Sequence, residues 1–278
     1  MAGVRVGRVP GLVAAVVLVL AAGCGGTPPQ SGDVPPPGRD DGQPLALVYR
    51  GPAACEGCPE AAEGLLERAG FAVRFVGPGE QVRFGPAALT GVALYVQPGG
   101  TNGQEVATAW SLLARDPGFS PDLVRTYVRG GGRFLGLCMG GYLAGDPGFD
   151  LLPGDSGQYI RSPDATVTDE RDRLVDVLWR GRPQRMYFQD GPYFDLDGPG
   201  TDVLARYPNG RTAAAVTPYG RGRVAVSGPH PEAPAEWYRD YELPDQSQAG
   251  LALGEDLLRT LMADPTAPAS TPTPTPAR

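Results

Sequence analysis

Four short apolar runs mark the first half of the chain, and stretches with helical spacing lie between them. The runs have the length of buried strands and cover residues 45–49, 71–76, 92–96 and 134–137. Helical spacing covers residues 59–69, a stretch that ends near residue 114, and residues 121–129. Strands that alternate with helices predict a parallel sheet with right-handed crossovers, whose ligand sites lie beyond the carboxyl ends of the strands.

The second half of the chain has more segments of strand type, separated by Gly, Pro, Asp or Asn. We predict strands at residues 158–162, 165–168, 185–188, 203–207, 212–217 and 222–227, and a closing helix at residues 248–262. Two acidic segments, residues 169–173 and 195–197, have the composition of solvated loops. The whole pattern therefore predicts an α/β fold with a parallel sheet and a β-rich C-terminal extension.

Residues 1–24 have the pattern of an export signal. Arg5 and Arg8 precede an apolar run that is too short and wrongly flanked for a membrane-spanning helix. The run ends in Leu-Ala-Ala-Gly-Cys at residues 20–24, which resembles a bacterial lipobox, so that cleavage before Cys24 would leave its thiol to take a lipid. A plain secretory signal with an incidental cysteine is the alternative.

The segments that flank the folded part of the chain are dominated by Pro, Gly, Thr and other small residues. Residues 25–43 and 264–278 hold too few large apolar side chains to form a packed core. We predict a disordered tether between the lipid and the domain, and a disordered tail at the other end. The folded domain then covers residues 44–263.

Charge and the choice of basic residues exclude several classes of function. A net charge of −7 argues against nucleic acid as a partner and against a basic patch for anionic membranes. The chain contains no lysine, since all 24 basic residues are arginine. This excludes a phosphate-loop lysine, a Schiff-base lysine and a biotinylated lysine. We expect no cofactor and no metal site.

A cysteine ends the apolar run at residues 134–137 and is flanked by Gly136 and Gly140. A predicted helix begins at Met139, so Cys138 lies at an abrupt change from strand to helix, the arrangement of a nucleophile elbow. The glycines let neighbouring backbone pass close to the bend. The unpaired N–H groups of a helix N-terminus favour a thiolate. The alternative is that Cys138 is a small buried core residue.

The chain contains a single histidine, His230, which lies between Pro229 and Pro231. Glu232 follows two positions later, and in an extended segment residues i and i+2 project to the same side. Glu232 can therefore orient the His230 ring while the other ring nitrogen faces a thiol, which predicts a Cys–His–Glu triad with Cys138. A structural histidine is the alternative.

Three motifs in this order resemble the class I glutamine amidotransferase-like superfamily: the loop at residues 98–100, the elbow at 136–140 and the segment at 230–232. The chain resembles in particular the biotin-protein ligase N-terminal domain family, through Gly51-Pro52, Tyr142 and residues 190–194. The resemblance covers residues 45–232 and implies a flavodoxin-like sandwich with a parallel sheet. Amidotransferases usually carry Gln at the position of Tyr142, so the resemblance does not extend to glutamine as the substrate.

The resemblance also implies a role for each motif residue. Cys138 would be the nucleophile, His230 the base and Glu232 the residue that orients it. The remaining implied site residues are Gly100 and Met139 as oxyanion-hole donors, and Gly99, Tyr142 and Tyr193 in the substrate pocket.

Two further groups leave alternatives open. Cys55 and Cys58 lie between a strand and a helix, as redox pairs do in thioredoxins. Outside the cytoplasm a structural disulfide is the plainer interpretation, with a redox pair and a metal site as alternatives. The aromatic residues Trp237, Tyr238 and Tyr241 follow the histidine and form either core packing or a substrate shelf.

These observations predict a lipid-anchored protein on the extracytoplasmic face of the cell membrane, held there by the lipid on Cys24. Its expected activity is that of a thiol hydrolase or amidase on a small-molecule or peptide-like substrate. One alternative is a lipoprotein on the same fold that binds a small ligand without turnover. Another is a redox protein that uses Cys55 and Cys58.

Overall fold

The computed structural model describes residues 42–101 and 103–263. The strands are β1 Leu45–Tyr49, β2 Ala72–Val76, β3 Val92–Gln97, β4 Arg133–Leu137, β5 Gly154–Gln158, β6 Arg173–Trp179, β7 Arg182–Phe188, β8 Pro192–Leu196, β9 Asp202–Arg206, β10 Thr212–Tyr219 and β11 Gly222–Ser227. The helices are α1 Cys58–Arg68, α2 Val106–Ala114, α3 Pro121–Arg129, α4 Met139–Leu143, α5 Ala235–Asp240 and α6 Ser247–Met262. The predicted signal peptide, most of the tether and the tail lie outside the described residues.

A single mixed sheet runs through the domain. Its first five strands, in the order β2–β1–β3–β4–β11, are all parallel to their neighbours. The sheet continues with β10, β9, β6 and β7, which pair antiparallel, and β5 and β8 form an antiparallel pair beside β10. The predicted α/β fold with a parallel sheet is confirmed.

Helices cover both faces of the parallel strands, as the uniformly apolar strand sequences require. In β1, Ala46 and Val48 pack into one core cluster, whereas Leu47 and Tyr49 pack into the other on the opposite face. Helices α1 and α6 supply leucines to the first cluster, and α2, α3 and α4 contribute to the second. Within the described ranges, no helix has both the length and the apolar character needed to cross a membrane.

The antiparallel part departs from the sequence prediction. Residues 159–161 form a 3-10 turn and residues 165–168 are not a strand. The side chain of Tyr159 is buried because its ring stacks on Tyr207 at a centroid distance of 3.8 Å, so its burial comes from a turn. The predicted loop at 169–173 ends in the first residue of β6, and Asp195 lies in β8.

The elbow leaves no space for a side chain at Gly140. A Cβ there would lie 1.9 Å from the carbonyl oxygen of Gln97 at the end of β3. We expect Gly140→Ala to lower the free energy of unfolding by about 3 kcal/mol, because the backbone must move to relieve the overlap. Urea denaturation followed by circular dichroism measures this change.

The matched control is Gly64→Ala, on the exposed side of α1, where an added Cβ meets nothing within 4 Å. Alanine is the better helix former, so this variant should gain up to about 1 kcal/mol. Equal stability of the two variants would contradict the close approach of the elbow to β3.

Candidate active site

Cys138 occupies a strained bend between β4 and α4. Its backbone has φ 49°, a left-handed value that costs a residue other than glycine about 1–3 kcal/mol and is found at functional sites. Its N–H donates to the carbonyl of Ser227 at 2.8 Å, and its own carbonyl accepts from the N–H groups of Gly141 and Tyr142. These bonds fix the bend to the end of β11 and to the first turn of α4.

The sheet order brings His230 to this bend. Because β4 and β11 are parallel neighbours, with Leu137 opposite Ser227, the residues that follow both strands meet at one edge of the sheet. His230 is fixed there by its N–H, which donates to the carbonyl of Tyr187 at 2.9 Å. The Cys138 side chain is close enough to the imidazole to raise its pKa.

Glu232 completes the arrangement on the other side of the ring. Nδ1 of His230 lies 2.7 Å from Oε1 of Glu232. The three side chains are buried, with 6% of Cys138, 4% of His230 and 1% of Glu232 exposed. The structure thus brings together the three residues that the sequence nominates as a triad, in the order nucleophile, base and carboxylate.

The charge state of His230 follows from two opposed effects. Burial by itself lowers the pKa of the imidazole, because it disfavours the charged ring. The electrostatic influence of Glu232, whose Oε1 is hydrogen-bonded to Nδ1, and of Cys138 outweighs burial and holds the pKa of His230 well above its usual value. The surroundings of the ring therefore favour its protonated form.

The two predicted oxyanion-hole residues are neighbours. Met139 is the first residue of α4, so its N–H has no acceptor within the helix. A Cβ on Gly100 would lie 2.8 Å from Cβ of Met139, which places the loop at residues 98–100 directly against the elbow. Both backbone N–H groups therefore belong to segments that border the sulfur.

Gly99 separates the histidine from a disulfide. Cys55 and Cys58 are bonded to each other, and the N–H of Cys55 donates to the carbonyl of Gly99 at 3.0 Å. A Cβ on Gly99 would lie 3.0 Å from Sγ of Cys58 and 3.2 Å from Cε1 of His230. Because Gly99 has no side chain, the disulfide loop can pack close behind the imidazole.

A cavity of about 310 Å³ opens in front of Cys138. Tyr142 lines it and donates a hydrogen bond from its hydroxyl to the carbonyl of Asp190 at 3.1 Å. The predicted pocket residue Tyr193 lies elsewhere: its ring packs against Gly157, and the guanidinium of Arg211 lies 4.0 Å from its centroid. Neither Tyr193 nor Gly99 is among the described residues that form the cavity wall.

Sequence reasoning did not identify the charged residues of this cavity. They are Glu105, Asp146, Arg161, Glu170 and Asp190. Asp190 has φ 47° and accepts two hydrogen bonds from Nε2 of Gln158 at 2.9 and 2.8 Å. Burial raises the pKa of Asp190 to about 6, and the charge of Glu170 acts in the same direction. The one sequence feature that could have identified Asp190 is its place in residues 190–194, which resemble the biotin-protein ligase N-terminal domain family.

A second cavity, of about 320 Å³, opens on the histidine side. His230, the disulfide, Trp237 and Tyr241 are in its wall, whereas Tyr238 is fully buried in the core. Of the aromatic residues after the histidine, Tyr238 therefore belongs to core packing, whereas Trp237 and Tyr241 have positions open to a ligand. Nowhere in the described parts of the chain do three or more His, Cys, Asp or Glu side chains cluster in a way that could hold a metal ion.

Solved structures share this fold. PurLQS from Thermotoga maritima is 18% identical, with a TM-score of 0.55, and the match covers 79% of this chain and 98% of that one. A glutamine amidotransferase from Thermotoga maritima is 16% identical, with a TM-score of 0.54 over 79% and 98% of the two chains. No protein-family model and no curated protein matches the chain. The domain thus has the fold of a glutamine amidotransferase.

The effect of the Glu232 carboxylate on the pKa of His230 can be measured. In Glu232→Gln the carboxylate that favours the imidazolium is lost, so we expect the pKa of His230 to fall. Proton NMR of the imidazole Cε1–H reports this directly, because the chain contains one histidine.

The control is Asp122→Asn, which removes a carboxylate that is 81% exposed and paired with Arg125 on α3. Its histidine should titrate like that of the wild type. A wild-type pKa near 6.5 that Glu232→Gln leaves unchanged would show that the carboxylate does not control the ring.

Proposed function

We propose that the protein is a thiol amidohydrolase that cleaves a small amide or peptide-like bond. The observation that supports this proposal most is the convergence of three buried side chains: Cys138 at the elbow, the His230 ring beside it, and Glu232 at 2.7 Å from Nδ1. A nucleophile, a base and an orienting carboxylate in this sequence of contacts suit acyl transfer. The cavity in front of the sulfur gives a small substrate access to it.

In the proposed reaction, the Cys138 thiolate attacks the carbonyl carbon and forms a C–S bond. The backbone N–H groups of Gly100 and Met139 stabilise the negative oxygen, each by about 3–4 kcal/mol in the transition state. The C–N bond then breaks, and the amine leaves with a proton from His230. Water next attacks the thioester and loses a proton to His230, the C–S bond breaks, and a carboxylic acid is released.

We also propose a relationship to the biotin-protein ligase N-terminal domain family, on the motifs that the sequence shares with it. The Tyr142 hydroxyl, bonded to the carbonyl of Asp190, occupies the position at which amidotransferases usually carry Gln. This difference supports a substrate other than glutamine.

A second candidate function is binding of a small ligand without turnover. It is favoured by the Cys138 sulfur, which also lies 3.5 Å from the carbonyl oxygen of Gln189 as a hydrogen-bond donor. A thiol that donates its proton to this carbonyl is not a thiolate, and a protein that stays in that state would bind without reacting.

The test is a screen of small amides and dipeptides with the wild type and with Cys138→Ser. We expect hydrolysis by the wild type and a loss of at least about 10³-fold in the variant, because the weaker nucleophile leaves only binding and oxyanion stabilisation. Liquid chromatography with mass spectrometry measures the released acid and amine.

Melting temperatures measured with the same compounds distinguish the second candidate. Equal ligand-induced shifts in both proteins with no product from either would support the binding function and contradict the hydrolase. Hydrolysis that survives Cys138→Ser would exclude Cys138 as the nucleophile.

We further propose that a lipid on Cys24 anchors the protein to the outer face of the cell membrane. The lipobox-like residues 20–24 and the export signal before them support this proposal. Expression in a bacterial host should place the wild type in the membrane fraction, whereas Cys24→Ala should appear in the soluble extracytoplasmic fraction. Immunoblotting of the fractions measures the partition, and a Cys24→Ala protein that stays with the membrane would contradict lipid anchoring.

A further inference from the structure

The two cavities adjoin at the proposed catalytic centre but present different members of it. Cys138 and Met139 line the first cavity, and His230 lines the second. Gly100, Thr101 and Gln189 are in the walls of both. A substrate whose carbonyl reaches the sulfur can therefore extend in two directions, one on the cysteine side and one on the histidine side.

The chemistry of amide cleavage assigns a half of the substrate to each side. The acyl carbon becomes bonded to the Cys138 sulfur, so the acyl half belongs in the cavity that Cys138 lines. The departing nitrogen must take its proton from the His230 ring, so it leaves toward the cavity that His230 lines. The second cavity is therefore the place for the amine half.

Aromatic rings dominate the wall of the second cavity. Tyr187 and Trp237 have ring centroids 5.3 Å apart, and His230 and Trp237 meet edge to face at 5.4 Å. Tyr241, whose surface is 49% exposed, lies 6.4 Å from Tyr187. Rings arranged in this way attract a cation through their π faces, most strongly the face of tryptophan.

Carboxylates accompany these rings. Glu56, Asp172 and Asp240 line the second cavity, and of the described residues in its wall none is an arginine. Arg239, outside the wall, forms an exposed ion pair with Asp240 at 3.8 Å. Asp172 accepts a hydrogen bond from the Tyr187 hydroxyl, and its charge raises the pKa of Tyr241, so its carboxylate lies beside both rings. The wall thus combines the two features that recognise an ammonium or guanidinium group.

The ratio of acidic to basic residues is higher in the cavity walls than in the chain as a whole. The chain has 31 acidic and 24 basic residues, a ratio close to one. The two cavity walls hold seven carboxylates, four in the first and three in the second, against Arg161 and against His230, whose surroundings favour its protonated form. Such a centre repels anionic substrates and concentrates cationic ones.

We propose that the amine half of the substrate carries a second group that is positively charged, as in an N-acylated diamine or an amide of a basic amine. The inference rests on the proposed amidohydrolase function. The acyl half lies in front of Cys138, the scissile nitrogen lies by His230, and the cation lies between the rings of Tyr187, Trp237 and Tyr241 and the carboxylates of Asp172 and Asp240.

The first test measures how fast charged thiol reagents modify Cys138, and it needs no turnover. The reagents are 2-(trimethylammonium)ethyl and 2-sulfonatoethyl methanethiosulfonate, each scaled to its rate with glutathione. We expect the cationic reagent to react at least about tenfold faster in low salt, because the carboxylates attract it. Mass spectrometry of the intact protein follows the modification.

Variants of the second cavity locate the source of this preference. The double variant Asp172→Asn with Asp240→Asn should lower the rate ratio several-fold, and Trp237→Leu should lower it without a change of charge. The control Asp122→Asn removes a carboxylate on α3 and should leave the ratio unchanged. A ratio near one, or a ratio that the second-cavity variants do not alter, would overturn the proposal.

The second test compares hydrolysis of N-acetyl-1,4-diaminobutane and N-pentylacetamide, whose amine chains end in an ammonium and a methyl group. Preference for the first, lost in the Asp172 and Asp240 variant, supports the proposal. Equal hydrolysis of both would overturn it and leave the amidohydrolase intact. A cation preference in the labelling without hydrolysis of either amide would keep the cation-binding cavity and contradict the amidohydrolase.

Discussion

The hydrogen bond between His230 and Glu232, beside Cys138, is the interaction on which the rest of the site depends. All three side chains are almost completely buried. An isolated charge at this depth is costly, and it becomes tolerable only when a partner of opposite charge and a hydrogen bond accompany it. Glu232 and Cys138 together raise the pKa of the imidazole, so the contacts that make its burial possible also favour its protonated form.

The sheet order supplies this contact. Cys138 follows β4 and His230 follows β11, and these strands become neighbours only after the chain has passed through β5 to β10. The antiparallel strands return the chain to the edge of the parallel strands. The position of the histidine therefore depends on the pairing of β11 with both β4 and β10.

Close backbone packing keeps the site narrow. Gly99 spaces the disulfide from the imidazole, Gly100 lies against Met139, and Gly140 lies against the carbonyl of Gln97. A side chain at any of these positions would separate elements that now touch. The disulfide loop thus shapes the histidine side of the site, and the cavity there takes its rings from α5 and β7.

The sequence alone determined the elements whose signals are local. The apolar run at residues 222–227 and the helical spacing at 121–129 have the bounds of β11 and α3, because periodicity and flanking glycines or prolines act over a few residues. The pairing of Glu232 with His230 was also predicted, but the predicted extended segment is wrong: residues 231 and 232 form a turn, and the turn brings the carboxylate to the ring. The motif order led to the amidotransferase fold.

Only the tertiary structure decided which distant residues meet. The side chain of Tyr193 packs away from the cavity, and Tyr159 is buried in a turn. Trp237 and Tyr241 line the second cavity, whereas Tyr238 is buried in the core. The tertiary structure also placed the Cys55–Cys58 disulfide behind the histidine and gathered Asp190 and Asp172 at the two cavities. These outcomes depend on strand register and on packing between segments far apart in the chain, which no local pattern of residues encodes.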